Sequence, residues 1–263
     1  MNSVLFDFGI FQIKWYSFLI LVGIILGGTL AYRESYRKGL NRDRFIDILF
    51  YGVLIGIIGA RLYYVIFNFD YYKTNLIEIL EVWNGGLAIH GGIIAGTAFM
   101  YFYTKKKKIN FWLLLDILVV GLILAQAIGR WGNFFNGEAY GRDVTLDFLQ
   151  FLHLPKFIID GMYINGIYRE PTFLYESIFN LIGFFILINL RKKKSLRTGM
   201  ISSIYLIWYG LFRCIIESFR SDSLMLGPIK VAQLISIIGI ILGVVLLIYS
   251  KKKHKLYRED KLV

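Results

Sequence analysis

The chain has 263 residues, 57% of them apolar or aromatic, and its mean hydropathy is +0.58. That is too apolar for an ordinary soluble domain, and the apolar residues come in blocks. The formal net charge of +12 would suit nucleic acid if the cations formed one patch, but they are dispersed along the chain.

Seven blocks reach the roughly 17–25 residues needed to cross the hydrocarbon of a bilayer. They lie near 14–33, 45–67, 87–103, 111–131, 172–190, 199–219 and 230–250. No basic segment or small-residue cleavage site accompanies the first, so it reads as a retained span. Twenty of the 30 Lys and Arg residues follow alternate spans. Arg33, Arg37, Lys38, Arg42 and Arg44 follow the first, and Lys105, Lys106, Lys107 and Lys108 the third. Arg191, Lys192, Lys193, Lys194 and Arg197 follow the fifth. Lys251, Lys252, Lys253, Lys255, Arg258 and Lys261 follow the seventh. The intervening loops are poorer in cations and hold acids such as Asp70, Glu78 and Glu81. This is the positive-inside pattern. It places the N-terminus outside and the C-terminus in the cytoplasm. It also makes the basic excess topological, so a lipid bilayer is the expected partner and nucleic acid is not. The expected fold is an all-α polytopic membrane protein, one transmembrane domain over residues 1–263 with about seven transmembrane helices.

Tyr16, beside Trp15 at the outer start of span one, fits an interfacial aromatic belt. Arg61 lies about seven residues from the outer end of span two, roughly 10 Å deep at about 1.5 Å per residue. Residues 69–84 put Leu76, Ile79, Leu80 and Trp83 at helical spacing beside Lys73, Glu78 and Glu81. That pattern predicts an outer amphipathic arm helix lying on the membrane surface. His90 follows at the start of span three, among Gly85, Gly86, Gly91 and Gly92. An interfacial histidine is often structural, and it can also carry a proton near neutral pH.

Span four runs into Gly129-Arg130-Trp131-Gly132-Asn133-Phe134-Phe135-Asn136-Gly137-Glu138-Ala139-Tyr140-Gly141. Gln126, Arg130 and Asn133 share a face if the helix continues. A lone arginine at a helix end would snorkel to the interface, but this density of amides, glycines and a carboxylate argues for a site. Residues 137–171 form the largest outer loop, a small extracytoplasmic cap. Within it Asn165-Gly166, between residues 162–164 and 167–169, is a two-residue β-hairpin signal. Pro171 suits the first turn of span five.

Span six carries Tyr209, Arg213, Glu217 and Arg220 at spacings of four, four and three, one helical face. An intrahelical ladder would neutralise Glu217 but leaves two arginines for one acid, so a further anion is needed. Cys214 is the only cysteine, points to a different face and reads as a small apolar filler. Three scattered histidines (90, 153 and 254) and no cysteine cluster give no metal-ligand spacing, so no metal is expected.

An ionisable side chain costs about 2.5–3.5 kcal/mol at the centre of a membrane helix, which makes each one a functional candidate. Arg61, His90, Arg130, Glu138, Glu176, Arg213, Glu217 and Arg220 all fall in the outer half of a span or at its outer boundary. Guanidinium groups pair well with phosphate. The residues alone therefore point to a phospholipid head-group site in the outer leaflet.

Residues 129–141 resemble the signature of the prolipoprotein diacylglyceryl transferases, G-R-x-G-N-F-x-N-x-E-x-x-G, at all eight fixed positions. Trp15-Tyr16, Gly59-Ala60-Arg61, His90-Gly91-Gly92, residues 171–176 and residues 209–220 match further family landmarks in order. One departure is Glu170, where the family commonly has His. The resemblance implies transfer of the diacylglyceryl group of phosphatidylglycerol to the lipobox cysteine of a preprolipoprotein signal peptide, with no cofactor, in the bacterial cytoplasmic (inner) membrane. It implies that Arg130, helped by Asn133, holds the lipid phosphate and that Arg213 stabilises the leaving group. His90 is the favoured base, with an arginine-lowered thiol pKa as the alternative. Tyr16 and Tyr209 orient lipid or base, and Glu138 fixes Arg130 or its loop. Gly85, Gly91 and Gly141 shape the backbone, and Arg61, Glu217 and Arg220 complete the substrate-binding set.

Other readings stay open on residues alone. A different lipid-processing enzyme should show an acid-rich metal motif or a His-Asp pair, and neither is present. A transporter should place its polar residues near the midplane on paired repeats, whereas these lie to one side. A seven-span receptor is favoured by span count only.

Overall fold

The computed structural model describes residues 3–9, 12–221 and 223–263. In chain order it contains hairpin β1 (Val4–Asp7) and β2 (Gln12–Lys14), then helices α1 (Trp15–Arg37), α2 (Arg42–Phe67) and the short α3 (Phe69–Tyr72). Two 3-10 turns, Leu76–Leu80 and Val82–Asn84, lead to α4 (Ile89–Lys107) and α5 (Phe111–Asn136). The cap holds α6 (Leu146–Phe151), α7 (Lys156–Gly161) and hairpin β3 (Tyr163–Ile164) and β4 (Ile167–Tyr168). Helices α8 (Thr172–Leu190) and α9 (Met200–Phe219), hairpin β5 (Met225–Leu226) and β6 (Ile229–Lys230), and α10 (Val231–Lys253) complete the chain. All three hairpins are antiparallel.

Six helices among the described residues are long and apolar enough to cross a bilayer: α1, α2, α5, α8, α9 and α10. Of the seven expected blocks, only the one at 87–103 falls outside this set. The remaining block does form a 19-residue helix, α4, but His90, three glycines and the lysines of its last turn dilute its apolar content.

The chain forms two compact units. The first comprises Met1–Ala31 with Leu115–Asp260. Here α1 and α5 cross at Gly27 and Gly121, where an added Cβ on Gly27 would fall 2.9 Å from the carbonyl carbon of Gly121. Small residues at a crossing let helix backbones approach where lipid supplies no hydrophobic drive. Helix α9 packs between α8 and α10 in the same manner, with Gly243 of α10 against the carbonyl of Ser203. The cap closes over Phe134, Leu149, Ile158, Met162 and Phe173, all buried. Thr145 caps α6 by accepting from the Phe148 amide at 3.2 Å. Asn165 and Gly166 both have positive φ, 54° and 84°, as the expected two-residue turn requires.

The N-terminal end of α9 is held by a carboxylate from another helix. Asp116 of α5 is fully buried and accepts from the Gly199 amide (2.6 Å), the Ser202 amide (2.7 Å) and the Ser202 hydroxyl (2.6 Å). An anion there meets the positive end of the α9 dipole. Asp116→Ala strands two buried amides, at roughly 1–3 kcal/mol each. We expect the melting temperature in detergent to fall by several degrees, and an unchanged value would remove Asp116 from the scaffold.

The second unit comprises Tyr32–Leu114 with Lys261–Val263. Its centre is the crossing of α2 and α4, where Gly59 and Gly91 each lie against the other's carbonyl. The arm expected as one amphipathic helix over residues 69–84 is instead α3 followed by the two 3-10 turns. Arg61 gives the reason. Its guanidinium donates to the carbonyls of Ile79 (2.9 Å), Gly85 (2.8 Å), Gly86 (3.0 Å) and Glu78, which diverts carbonyls that an α-helix would use internally.

Candidate active site

Three guanidiniums and two carboxylates meet where α5, α8 and α9 come together in the first unit. Arg130 of α5 holds Nε 2.6 Å from Oε2 of Glu176 on α8. Arg213 of α9 holds Nη1 2.5 Å from the other oxygen of Glu176 and Nη2 2.7 Å from Glu217 Oε2. Arg220 Nε lies 4.0 Å from the same Glu217 oxygen. Both carboxylates are buried, with side chains 4% and 2% exposed, while Arg130 and Arg213 keep 20% and 14%. The cluster therefore carries one net positive charge and opens toward its arginine side.

Each partner is placed by its own helix. Helix α5 continues through the glycine-rich run to Asn136, so Asn133 falls one turn beyond Arg130 and accepts from its Nη1 at 3.4 Å. Gly132 lets α1 approach, because a Cβ there would meet the Tyr16 ring and backbone. Trp15 stacks on Phe135 with ring centroids 4.5 Å apart. Helix α8 begins at Thr172, whose hydroxyl donates to the Ala139 carbonyl at 2.7 Å, and Glu176 follows one turn later. Ser177 donates to the Ala127 carbonyl at 2.8 Å and accepts from Trp131 Nε1 at 3.2 Å, fixing α8 on α5. Tyr209 stacks on Tyr205, which exchanges hydrogen bonds with Gln126. Lys230 donates to the last carbonyls of α9, those of Glu217 and Arg220, both at 2.7 Å.

The loop after α5 closes on the same region. Gly141 donates its amide to the Glu170 carbonyl at 2.9 Å and bridges to Arg220, and a Cβ at Gly141 would meet Glu170 and Thr172. Glu170 is buried and pairs with Arg142 Nε at 2.9 Å. The acid that stands where the family commonly has His thus serves the cap.

Arg130, Asn133, Arg213, Tyr209, Tyr16, Glu217 and Arg220 all belong to this region of the first unit, and Gly141 frames it. Glu138 does not hold Arg130: its side chain is exposed, and Glu176 makes that ion pair instead. Glu176 is the further anion that two arginines on α9 required, and an acid one turn inside an apolar helix was its signal in the sequence. The chain's remaining candidates lie in the second unit. Arg61 donates to backbone carbonyls and so orders the loop. Gly85 has φ 89° and supplies one of those carbonyls, and Gly91 serves the crossing with α2. His90 is half-buried in the first turn of α4, its ring centroid 6.3 Å from that of Tyr63. In the same unit Glu78 accepts from the Tyr71 hydroxyl at 2.7 Å, which raises the Tyr71 pKa above its usual value. Among the described residues no group of three or more His, Cys, Asp or Glu side chains could hold a metal.

The sequence pattern of the prolipoprotein diacylglyceryl transferase family matches residues 3–249. The phosphatidylglycerol–prolipoprotein diacylglyceryl transferase of Staphylococcus haemolyticus (strain JCSC1435) is 49% identical over 262 residues, covering 98% of this chain and 92% of that one. A protein of the same name from Streptococcus pneumoniae (strain ATCC 700669 / Spain 23F-1) is 48% identical over 258 residues, covering 98% and 97%.

Proposed function

Since the chain belongs to the prolipoprotein diacylglyceryl transferase family, we propose that it transfers the diacylglyceryl group of phosphatidylglycerol to the lipobox cysteine of exported preprolipoproteins. The thiolate sulfur forms a bond to the glycerol carbon that bears the phosphate. The carbon–oxygen bond to phosphate breaks, and glycerol phosphate leaves with the bonding pair. The result is a thioether, the first step of lipoprotein maturation.

The observation that carries this reading is the charge of the buried cluster. Three guanidiniums over two carboxylates leave one positive charge, which a singly charged phosphodiester neutralises. Arg130 and Asn133 hold the phosphate. Arg213 meets the charge that grows on the leaving group, where a preorganised donor in a water-poor site acts most strongly. Tyr209 and Tyr16 orient Arg130 and the lipid, while Glu217 holds Arg213 and Arg220 in place. Glu138, exposed after α5, fixes its loop.

The thiol must lose its proton, since the thiolate is the nucleophile. The family resemblance assigns that proton to His90. His90→Asn is then expected to slow turnover roughly 10²–10⁴-fold, the usual contribution of a general base, with a smaller loss of lipid binding. Unchanged turnover excludes His90 and leaves thiol activation to the arginines.

The alternation of cations places the N-terminus outside and the C-terminus in the cytoplasm, which requires α4 to cross beside α2 as a seventh span. The cluster then lies on the extracytoplasmic side of the cytoplasmic membrane, where exported substrate arrives. The reaction predicts one glycerol phosphate released per lipidated peptide. Release in the absence of peptide at the same rate would instead indicate a phospholipase.

A further inference from the structure

Between α8 and α9, beside the ion pairs, lies a small, partly open cavity of about 10 Å³. Glu176, Asn180, Tyr209 and Arg213 supply its polar lining, and the stacked rings of Phe179 and Phe212, with centroids 4.0 Å apart, wall one side. Two polar atoms of these lining residues are buried without a hydrogen bond among the described residues. One is a donor, Nδ2 of Asn180, whose residue is only 5% exposed. The other is an acceptor, Oε2 of Glu176, which makes an ion pair with Arg130 but has no aligned hydrogen bond. Buried amides and carboxylate oxygens rarely go unmatched. A space of this size is about what one water molecule occupies, and a buried water needs two to four polar partners.

We propose that this cavity is a binding site for a single water molecule, which accepts from Asn180 Nδ2 and donates to Glu176 Oε2 as a fixed part of the anion site. The water completes the hydrogen bonding of a carboxylate that already holds Arg130 on one oxygen and Arg213 on the other. It keeps Glu176 from turning toward either arginine alone, and so keeps the two guanidiniums at the spacing that a phosphate meets. Asn180 is accordingly a positioning residue, acting through the water and Glu176. This consequence rests on the phosphate-binding role of the two arginines, whereas the water site itself does not.

Two measurements test the proposal. An experimental density map of the full-length protein in lipid, at a resolution that shows ordered water, should contain a peak within hydrogen-bonding distance of both Asn180 Nδ2 and Glu176 Oε2. A clear map with no peak there overturns the proposal, whatever the activity data say. The second measurement uses Asn180→Leu, which removes the amide and fills the cavity with apolar atoms. We expect the peak to vanish, the melting temperature to hold or rise, and kcat/KM for phosphatidylglycerol to fall about tenfold. If Asn180 is a packing residue only, the variant keeps its kcat/KM while its stability rises, and the positioning role is overturned. If the peak is present and Arg130→Ala still turns over normally, the water site stands and the phosphate reading falls.

Discussion

Replacing Arg130 with alanine is expected to reduce diacylglyceryl transfer by about 10³-fold, the upper end of what removing one charge-stabilising donor costs an enzyme, typically 10²–10³. Arg130 occupies the centre of the site's contacts. It pairs with Glu176 and reaches Asn133. Its removal also takes the cluster from one net positive charge to zero, so a phosphodiester entering would no longer be balanced. The fold should survive, because Glu176 keeps Arg213 at 2.5 Å and is not left as an unpaired buried charge. Arg130→Lys should recover little, since an ammonium cannot reproduce the planar fork that meets carboxylate and phosphate together. Assay of labelled lipid transfer to a lipobox peptide reads this directly, with the melting temperature as the folding control. Near-normal turnover in a folded Arg130→Ala protein would end the phosphate role.

Glu176→Gln should show the reverse balance, with a larger effect on stability than on charge recognition. The substitution removes the shared anion from two arginines whose side chains are 20% and 14% exposed. Breaking a buried pair by deleting one partner costs about 3–5 kcal/mol. The partial exposure of both arginines puts the expected loss at the lower end, about 3 kcal/mol. In lipid-free detergent the melting temperature should drop clearly. Added phosphatidylglycerol should then stabilise the variant more than the parent, because the lipid phosphate supplies the missing anion. An unchanged melting temperature without lipid, or equal stabilisation of both proteins by lipid, contradicts this account of the cluster.

Much of this architecture was legible in the sequence because the bilayer imposes strict rules. Length and apolar content located every long helix, since a span must satisfy its backbone internally. The spacing of Tyr209, Arg213, Glu217 and Arg220 put them on one face, and the structure pairs Arg213 and Arg220 with Glu217 as that spacing required. Asn165-Gly166 announced its hairpin through local turn chemistry alone. What failed to show depended on distant partners. Residues 69–84 have the periodicity of an amphipathic helix, but Arg61, in another helix, takes their carbonyls and breaks the pattern. The resemblance offered Glu138 to fix Arg130 or its loop; the acid that pairs with Arg130 is Glu176, far off in sequence, because α8 lies against α5. The N-terminal hairpin and the Gly227-Pro228 hairpin are too short to leave a periodic signal.

The central claim is a lipid-to-thiol transfer, and the mass of the acceptor tests it most directly. Purified protein is incubated with phosphatidylglycerol of defined acyl chains and a lipobox peptide, and the peptide is weighed intact and after fragmentation. The account predicts a gain of one diacylglyceryl group, located on the lipobox cysteine and absent when that cysteine is replaced by serine. An unmodified peptide from well-folded protein, or a gain on any other residue, would contradict it.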